Sequence, residues 1–243
     1  MEFAGLVRDV ITNKVRATLI LSRDQVEKLK KWISIRCATG YDSRTLYIST
    51  FVVTCALMWV CMIKFEEIKD HDNNHVTKSC DELCHLVFLA DCRDCLELSL
   101  PSTYFGNCLA TGIVKIKRDV LLEENSIIEV ASAIESEVRN LKSTNTTILK
   151  KFETLMTDLK ELGKPGKNVL TIAGSPKLAI YDTDFRWGRP KKSDIVHIES
   201  SGSISLSDCR EKKDGIEVGL ALDRVRMRNF ITFFEKYLNN IIA

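Results

Sequence analysis

Cysteine and histidine side chains between residues 71 and 95 have the types that bind a transition metal. Cys92 and Cys95 form a CxxC pair at the end of this stretch. The other candidates, all upstream of the pair, are His71, His75, Cys80, Cys84 and His85. Thiolates and imidazoles suit zinc, which makes a zinc-binding interaction module one hypothesis. Because Cys84 leads straight into an apolar run where a zinc knuckle needs a turn, the spacing favours unpaired thiols and no metal.

Histidine is also the commonest general base, but no catalytic site can be assembled around one here. The histidines are His71, His75, His85 and His197. None of them is followed by aspartate four positions later, and the sequence contains no GxGxxG, GxxxxGK or GxSxG motif. The residues alone therefore predict no catalytic residue in this chain.

Two aromatic motifs are the next candidates for chemistry. The first, YFGNC, spans residues 104–108, where Gly106 permits a tight backbone and Asn107 suits a turn. The second, DFRWGRP, spans residues 184–190 and contains an amphipathic ring at Trp187 and a carboxylate at Asp184 that can pair with an arginine. Packing alone can explain both motifs, so by themselves they assign no chemistry.

The overall charge excludes one class of partner. The net charge is +2, and the 28% of residues that are charged are interspersed without a long basic block. This pattern does not suggest a nucleic-acid-binding protein. The hydrophobic fraction of 45% is ordinary for a soluble globular protein.

The cysteines indicate a reducing compartment. They are Cys37, Cys55, Cys61, Cys80, Cys84, Cys92, Cys95, Cys108 and Cys209. Their odd number and scatter do not resemble a secreted disulfide framework, and Met1-Glu2-Phe3 does not begin like a signal peptide. We therefore expect a cytoplasmic protein with reduced thiols.

One uncharged stretch, residues 45–63, is long enough to span a bilayer. Polar side chains such as Tyr47, Ser49 and Thr54 dilute it. A helix in the core of a soluble protein has the same composition, so we predict a buried helix over about 46–64 and no membrane association.

The hydrophobic pattern predicts a mixture of strands and helices. The predicted strands are 14–21, 84–90, 109–117, 169–173, 178–181, 195–199, 204–207 and 216–222. The predicted helices are one capped by Ser22 and Gln25, the buried one over 46–64, two amphipathic ones with apolar stripes over 127–141 and 148–162, and a final one capped by Asp223. Polar residues 66–80 are expected to form a loop and residues 96–107 a connector. Because strands and helices do not alternate regularly, we predict an α/β domain with a mixed sheet in two layers.

In their order and separation, the two aromatic motifs resemble those of the plant BAHD acyl-CoA-dependent acyltransferases, whose second motif reads DFGWG. Other segments follow the order of that family. They are Val15-Arg16-Ala17-Thr18, residues 49–56, Ala90-Asp91-Cys92-Arg93 and Ala173-Gly174-Ser175-Pro176. The chain resembles the C-terminal half of these enzymes, and most of all the anthocyanin, flavonoid and phenolic-glucoside malonyltransferases. The resemblance implies one domain over residues 1–243, with the fold of one half of a chloramphenicol-acetyltransferase-like BAHD enzyme.

The resemblance also implies an activity. It is transfer of an acyl group, malonyl in that branch, from acyl-CoA to a hydroxyl of a phenolic or flavonoid glycoside, with no bound cofactor. The histidine of an HxxxD motif is the family's general base. Because this chain lacks HxxxD, it is expected to supply the CoA site and part of the acceptor site. Its implied protein partner is the missing N-terminal half or a full-length homologue.

Site residues follow from the resemblance by position. The implied CoA-binding residues are Lys30, Lys31, Ser34, Asp91, Cys92, Arg93, Gly174 and Ser175. The residues implied near the acceptor tunnel, or as structural parts of the motifs, are Asn107, Asp184, Trp187 and Gly188. The guanidinium of Arg93 suits a phosphate, and the small Gly174–Ser175 pair permits close backbone approach. For the two lysines and Ser34, a solvated helix face remains an open interpretation.

One departure from the family motif makes a structural prediction. Arg186 stands where DFGWG has glycine, so a positive φ at that position would strain the arginine. The absent HxxxD leaves two alternatives to an enzyme half. One is a non-catalytic homologue that binds a CoA thioester or a partner chain, and the other is the zinc module.

Overall fold

The computed structural model describes residues 14–38, 47–72, 79, 81–93, 100–101, 103–143, 145–195, 202–212 and 214–243. Its strands are β1 (Lys14–Leu21), β2 (Leu83–Asp91), β3 (Leu109–Lys117), β4 (Asn168–Ala173), β5 (Ser203–Asp208) and β6 (Ile216–Asp223). Its α-helices are α1 (Arg23–Ala38), α2 (Thr50–Asp72), α3 (Arg118–Leu122), α4 (Ser126–Ser143), α5 (Asn145–Leu162) and α6 (Arg224–Ile242). Two short 3₁₀ helices, Pro176–Leu178 and Ile180–Asp182, follow β4.

The strands form a mixed six-stranded sheet with the order β1-β6-β5-β4-β2-β3. β1 and β5 each pair antiparallel with β6, and β2 pairs antiparallel with β3. β4 runs parallel to β2. The predicted α/β class with a mixed sheet is therefore confirmed.

The chain divides into two compact units. The terminal unit comprises Met1–Glu27 and Ile172–Ala243, and the central unit comprises Lys28–Thr171.

Helix α2 supplies the core of the central unit. Residues 52–61 are all buried, and the side chain of Trp59 has no exposed surface. A helix that is apolar on every side must be surrounded by protein, and α2 contacts α3 and α4. This confirms the predicted core helix. Over the residues that can be described, no helix is long and apolar enough to cross a membrane.

The carboxyl end of α2 extends beyond its predicted limit because of a buried ion-pair cluster. We expected a loop from residue 66, but the helix continues to Asp72. Arg118, on α3, is fully buried and lies 3.0 Å from the Glu67 carboxylate. Glu66 and Glu82 lie 3.7 and 3.6 Å from the same guanidinium. These contacts join polar residues at the end of α2 to the rest of the unit, and the sequence pattern did not predict α3.

The last strand of the sheet is attached to the helices beside it. Both α4 and α5 contact β3, as the two apolar stripes predicted. Glu137 on α4 accepts a hydrogen bond of 3.2 Å from the backbone N–H of Ile113 in β3. Lys151 on α5 pairs with the same carboxylate at 2.6 Å.

The terminal unit contains the predicted hairpin and both predicted helix caps. Asp214 lies in the turn between β5 and β6 with φ +60°, a conformation that aspartate tolerates better than most residues. Ser22 and Gln25 form a reciprocal capping box at the start of α1. The Asp223 carboxylate accepts a hydrogen bond of 2.8 Å from the Arg226 N–H at the start of α6, which packs on β1 and β6.

The strand predicted over 178–181 is wrong. Pro176 begins one 3₁₀ helix there, and Ala179, with φ +46°, separates it from the next. Proline removes a ladder donor, and a left-handed residue cannot continue a strand, which explains the difference. Of the strand predicted over 195–199, Ile195 is irregular and the other residues lie outside the described part of the chain. Residues 96–99 and 102 of the predicted connector also lie outside it.

Candidate functional site

Arg93 joins two of the segments that the sequence singled out. Its guanidinium donates a hydrogen bond of 2.8 Å to the carbonyl oxygen of Gly106, in the YFGNC motif. It also pairs at 2.8 Å with Asp91, whose carboxylate accepts the backbone N–H of Arg93 as well. The Arg93 side chain is 27% exposed, so part of it faces solvent where an anion can approach. The sequence pointed to Gly106 only for the tight backbone that glycine permits. In the structure its carbonyl oxygen also accepts the hydrogen bond from Arg93.

Cys92 and Asn107 lie beside these contacts but differ in exposure. Cys92 is fully buried, and its thiol lies 3.6 Å from the carbonyl oxygen of Ala90. Its backbone N–H donates at 3.0 Å to the carbonyl of Cys108. Asn107 is exposed. A direct contact with a ligand therefore suits Asn107, Asp91 and Arg93 better than the thiol of Cys92.

The three candidates on α1 also belong to the central unit. Lys30 is half-buried, whereas Lys31 and Ser34 are exposed. Lys30 and Ser34 are four residues apart, so they share a face of the helix. The buried residues Leu29 and Ile33 hold the helix on the core and leave the three polar groups at its surface.

Gly174 and Ser175 have structural tasks in the terminal unit. Gly174 has φ +74°, and a Cβ added there would lie 2.6 Å from the carbonyl oxygen of Leu206. The space beside the Gly174 Cα is thus filled by β5 of this chain. The hydroxyl of Ser175 accepts the Lys177 N–H at 3.2 Å and caps the first 3₁₀ helix.

The Asp184 carboxylate organises its motif through the backbone. It accepts hydrogen bonds from the N–H groups of Arg186 and Gly188, at 2.7 and 3.1 Å. We expected Asp184 to pair with an arginine, but the nearby Arg189 pairs with Asp182 at 3.2 Å. Arg186 has φ +71°, so the arginine does occupy a conformation that favours glycine.

The aromatic residues of the second motif face solvent. Trp187 is 93% exposed, and Gly188 has φ +93° in the same turn. Asn107 belongs to the central unit and Trp187 to the terminal unit.

Tyr181 fixes the segment that carries this motif, and the sequence did not reveal it. Its buried hydroxyl donates to the Glu217 carboxylate at 2.9 Å and accepts the Ser193 N–H at 3.2 Å. Burial and the neighbouring Glu217 raise the pKa of Tyr181, so the phenol stays protonated. In the sequence, Tyr181 only ends a short apolar run, and nothing there indicates that its hydroxyl bonds to Glu217 and Ser193.

His85 is placed as a structural residue. It is buried in β2, with Nδ1 3.3 Å from the carbonyl oxygen of Asn168. Burial lowers the pKa of His85 despite this contact, which keeps the imidazole neutral. No group of three metal-binding side chains occurs among the described residues, while His75, Cys80 and Cys95 lie outside them.

Comparison with known proteins decides the family. A model described as the Transferase family matches residues 6–237 of the chain. The chain belongs to this family, the BAHD acyltransferases. The resemblance predicted from the two motifs is therefore confirmed.

Several curated BAHD relatives match most of this chain. It is 37% identical over 235 residues to coumaroyl-CoA:anthocyanidin 3-O-glucoside-6''-O-coumaroyltransferase 2 of Arabidopsis thaliana, covering 92% of this chain and 46% of the relative. It is 33% identical to phenolic glucoside malonyltransferase 2 of the same plant, covering 93% and 46%. It is also 33% identical to malonyl-coenzyme A:anthocyanin 3-O-glucoside-6''-O-malonyltransferase of Dahlia pinnata, covering 96% and 47%. The chain thus spans about half the length of these relatives.

Solved structures share the fold. Vinorine synthase superposes with a TM-score of 0.65 at 17% identity, covering 89% of this chain and 46% of its own. TRI101 of F. sporotrichioides, complexed with coenzyme A and T-2, superposes with a TM-score of 0.64 at 14% identity, covering 90% and 49%. The fold is therefore that of BAHD acyltransferases, as the resemblance predicted.

Proposed function

We propose that this chain supplies the CoA side of an acyltransferase that acts on glycosylated phenolics such as anthocyanins. The observation that carries the proposal is the family match over residues 6–237, together with relatives named for acyl-CoA donors and glucoside acceptors. The reaction transfers the acyl group from the CoA thioester to an acceptor hydroxyl.

The chemistry requires a base that these residues do not provide. The base removes the acceptor proton as the hydroxyl oxygen attacks the thioester carbonyl. The tetrahedral oxyanion then collapses and the CoA thiolate leaves. The sequence contains no HxxxD, and His85 is buried and hydrogen-bonded within the sheet. We therefore infer that the base comes from another polypeptide segment, and that full activity requires this chain together with that segment.

The CoA contacts that we propose are of two kinds. Lys30, Lys31 and Ser34 offer cations and a hydroxyl to the phosphates, while Arg93 presents a partly exposed guanidinium held by Asp91. Cys92, Gly174 and Ser175 contribute by fixing the local backbone. The Cys92 thiol and the Ser175 hydroxyl already contact backbone groups of the protein, and Leu206 fills the space beside Gly174.

The donor and compartment complete the proposal. Malonyl-CoA is the first donor to test, since two of the relatives described above are malonyltransferases, and coumaroyl-CoA is the second. The acceptor is a phenolic or flavonoid glucoside. Scattered cysteines, present as free thiols where the structure describes them, support a reducing cytoplasm as the place of action.

Binding and turnover are tested separately. Calorimetric titration of the purified chain with CoA should show binding that weakens about threefold to tenfold in a Lys30→Ala, Lys31→Ala double variant. Lys160→Ala, which removes an exposed cation from α5, is the matched control. Equal affinity in the double variant and in the control would remove α1 from the CoA site.

For turnover, the chain is mixed with the HxxxD-containing half of the Dahlia malonyltransferase, malonyl-CoA and an anthocyanidin glucoside. Transfer should occur only in the mixture and disappear when the HxxxD histidine is replaced by alanine. Transfer by the chain alone would contradict the inference that its base lies elsewhere. Failure to bind any acyl-CoA would contradict the proposed function itself.

A further inference from the structure

Cys92 and Cys108 face each other at the end of the β2–β3 ladder. The register pairs Ala90 with Ala110 and Asp91 with Leu109, so the next position sets Cys92 opposite Cys108. The hydrogen bond of 3.0 Å from the Cys92 N–H to the Cys108 carbonyl shows that the pairing continues to this position. Opposite residues in an antiparallel ladder project their side chains from the same face, so the two thiols are neighbours.

The spacing of such a pair is compatible with a disulfide. Opposite residues that share a backbone hydrogen bond have Cα atoms about 5.5 Å apart, inside the range of about 4.4–6.8 Å found for disulfides. Their Cβ atoms are about 5.5 Å apart, the wide end of the cross-strand range, which exceeds the upper limit of about 4.5 Å in disulfides by about 1 Å. A small local movement is therefore needed, and a bond formed under such strain is readily reduced.

The position of the pair permits that movement. Cys92 lies just after the end of β2, where the Asp91 carboxylate accepts the Arg93 N–H at 3.1 Å and turns the chain. Cys108 lies just before the start of β3. Ends of ladders open locally at lower free energy than their centres, so reagents reach these thiols by fraying.

Three other buried cysteines lack this arrangement. Cys84 lies opposite Ile116 in the same ladder. Cys55 and Cys61 are fully buried inside α2, away from the end of the ladder that frays, and burial raises the pKa of both thiols.

We propose that Cys92 and Cys108 form a thiol-oxidation site that closes to a reversible disulfide with a small disulfide oxidant such as oxidised glutathione. The Cys108 thiolate, the less buried of the two, attacks the glutathione disulfide and releases one glutathione thiolate. The Cys92 thiolate then attacks the Cys108 sulfur of the mixed disulfide and releases the second. The two protein thiols lose two protons and two electrons, and one glutathione disulfide becomes two thiols. The new bond joins the Arg93 segment to the YFGNC segment covalently.

The test equilibrates the purified, reduced chain in glutathione buffers of graded redox ratio. Samples are quenched with acid, alkylated, and measured by intact mass and peptide mapping. We expect a species that has lost two thiols without gaining glutathione, that fragments as a Cys92–Cys108 crosslink, and that dithiothreitol reverses. Cys92→Ser and Cys108→Ser should each abolish it.

The controls address the cysteines that share tryptic peptides with the pair. Cys80→Ser, Cys84→Ser and Cys95→Ser should each leave the crosslink unchanged. Its persistence in Cys92→Ser or Cys108→Ser, the appearance of glutathione adducts alone, or full reduction at every redox ratio would each overturn the proposal. Where circular dichroism shows that a serine variant has not folded, the corresponding alanine variant and the mapped crosslink of the unaltered chain decide.

Discussion

The guanidinium of Arg93 donates a hydrogen bond of 2.8 Å to the carbonyl oxygen of Gly106, which attaches the segment after β2 to the segment before β3. The same side chain pairs with Asp91 at 2.8 Å. A planar guanidinium can make both contacts at once in a fixed geometry, which an ammonium cannot. Arg93 therefore has a structural task whatever ligand it meets.

Replacing Arg93 by alanine should lower the free energy of unfolding by about 1–2 kcal/mol, because the Gly106 carbonyl and Asp91 lose a charged donor. Arg93→Lys should be intermediate. Urea denaturation followed by circular dichroism measures both. Lys117→Ala, which breaks an exposed pair with Asp81, is the control and should cost less. If CoA affinity is unchanged in Arg93→Ala, its role is structural only.

Two glycines with positive φ separate the effect of backbone conformation from that of crowding. Gly166 has φ +84° and no atom within 4 Å of an added Cβ, whereas at Gly174 that atom would lie 2.6 Å from the Leu206 carbonyl oxygen. Gly166→Ala should cost about 1 kcal/mol through its left-handed backbone. Gly174→Ala should cost about 2 kcal/mol more, as overpacking does. Equal urea midpoints for the two variants would mean that the Leu206 backbone in β5 moves away from the added methyl group at no cost in stability.

Arg186 has φ +71°, so Arg186→Gly should raise the free energy of unfolding. Relief of a left-handed conformation, worth about 1–2 kcal/mol, exceeds the entropy of about 0.5–1 kcal/mol that glycine adds to the unfolded chain. Arg186→Ala keeps the Cβ and should leave stability near that of the original chain. A gain in thermal midpoint for alanine equal to that for glycine would trace the strain to the arginine side chain.

The sequence predicted those features that depend on local pattern. The capping box at Ser22, the β5–β6 hairpin and the buried helix α2 all follow from periodicity and turn chemistry over a few residues. The error at residues 178–181 arose where an apolar run resembled a strand but Pro176 and a left-handed Ala179 determined the backbone. Long-range partners were not predictable: nothing local to Arg118 indicates Glu67, and nothing in YFGNC indicates that its glycine carbonyl meets Arg93.

His85 should make stability depend on pH near neutrality. Burial lowers its pKa in the folded chain below the value of about 6.5 in the unfolded chain. The unfolded state then binds more protons between the two pKa values, so stability is full above about pH 6.5 and falls as acid is added. Urea midpoints between about pH 7.5 and pH 5.5 should decrease in the original chain and less steeply in His85→Gln. If the urea midpoint falls equally with pH in both proteins, groups other than His85 cause the loss of stability.

Arg118 is surrounded by Glu66, Glu67 and Glu82 and is fully buried. Arg118→Met should lower the free energy of unfolding by about 3–5 kcal/mol, because it leaves carboxylates without their cation. Adding Glu67→Gln to this variant should recover part of the loss. A double variant no more stable than Arg118→Met would show that packing of the arginine stem, and not its charge, sets the cost.

The hydrogen bond from the Ile113 N–H to Glu137 bears on how copies of this chain behave at high concentration. Among the described strands β3 ends the order, and an unoccupied row of backbone groups at such an edge is a template for strands of other molecules. Here a carboxylate held by Lys151 occupies one of those donors. A strand approaching from that side meets a Glu137–Lys151 ion pair instead of a free N–H, which opposes fibril growth and aggregation through β3.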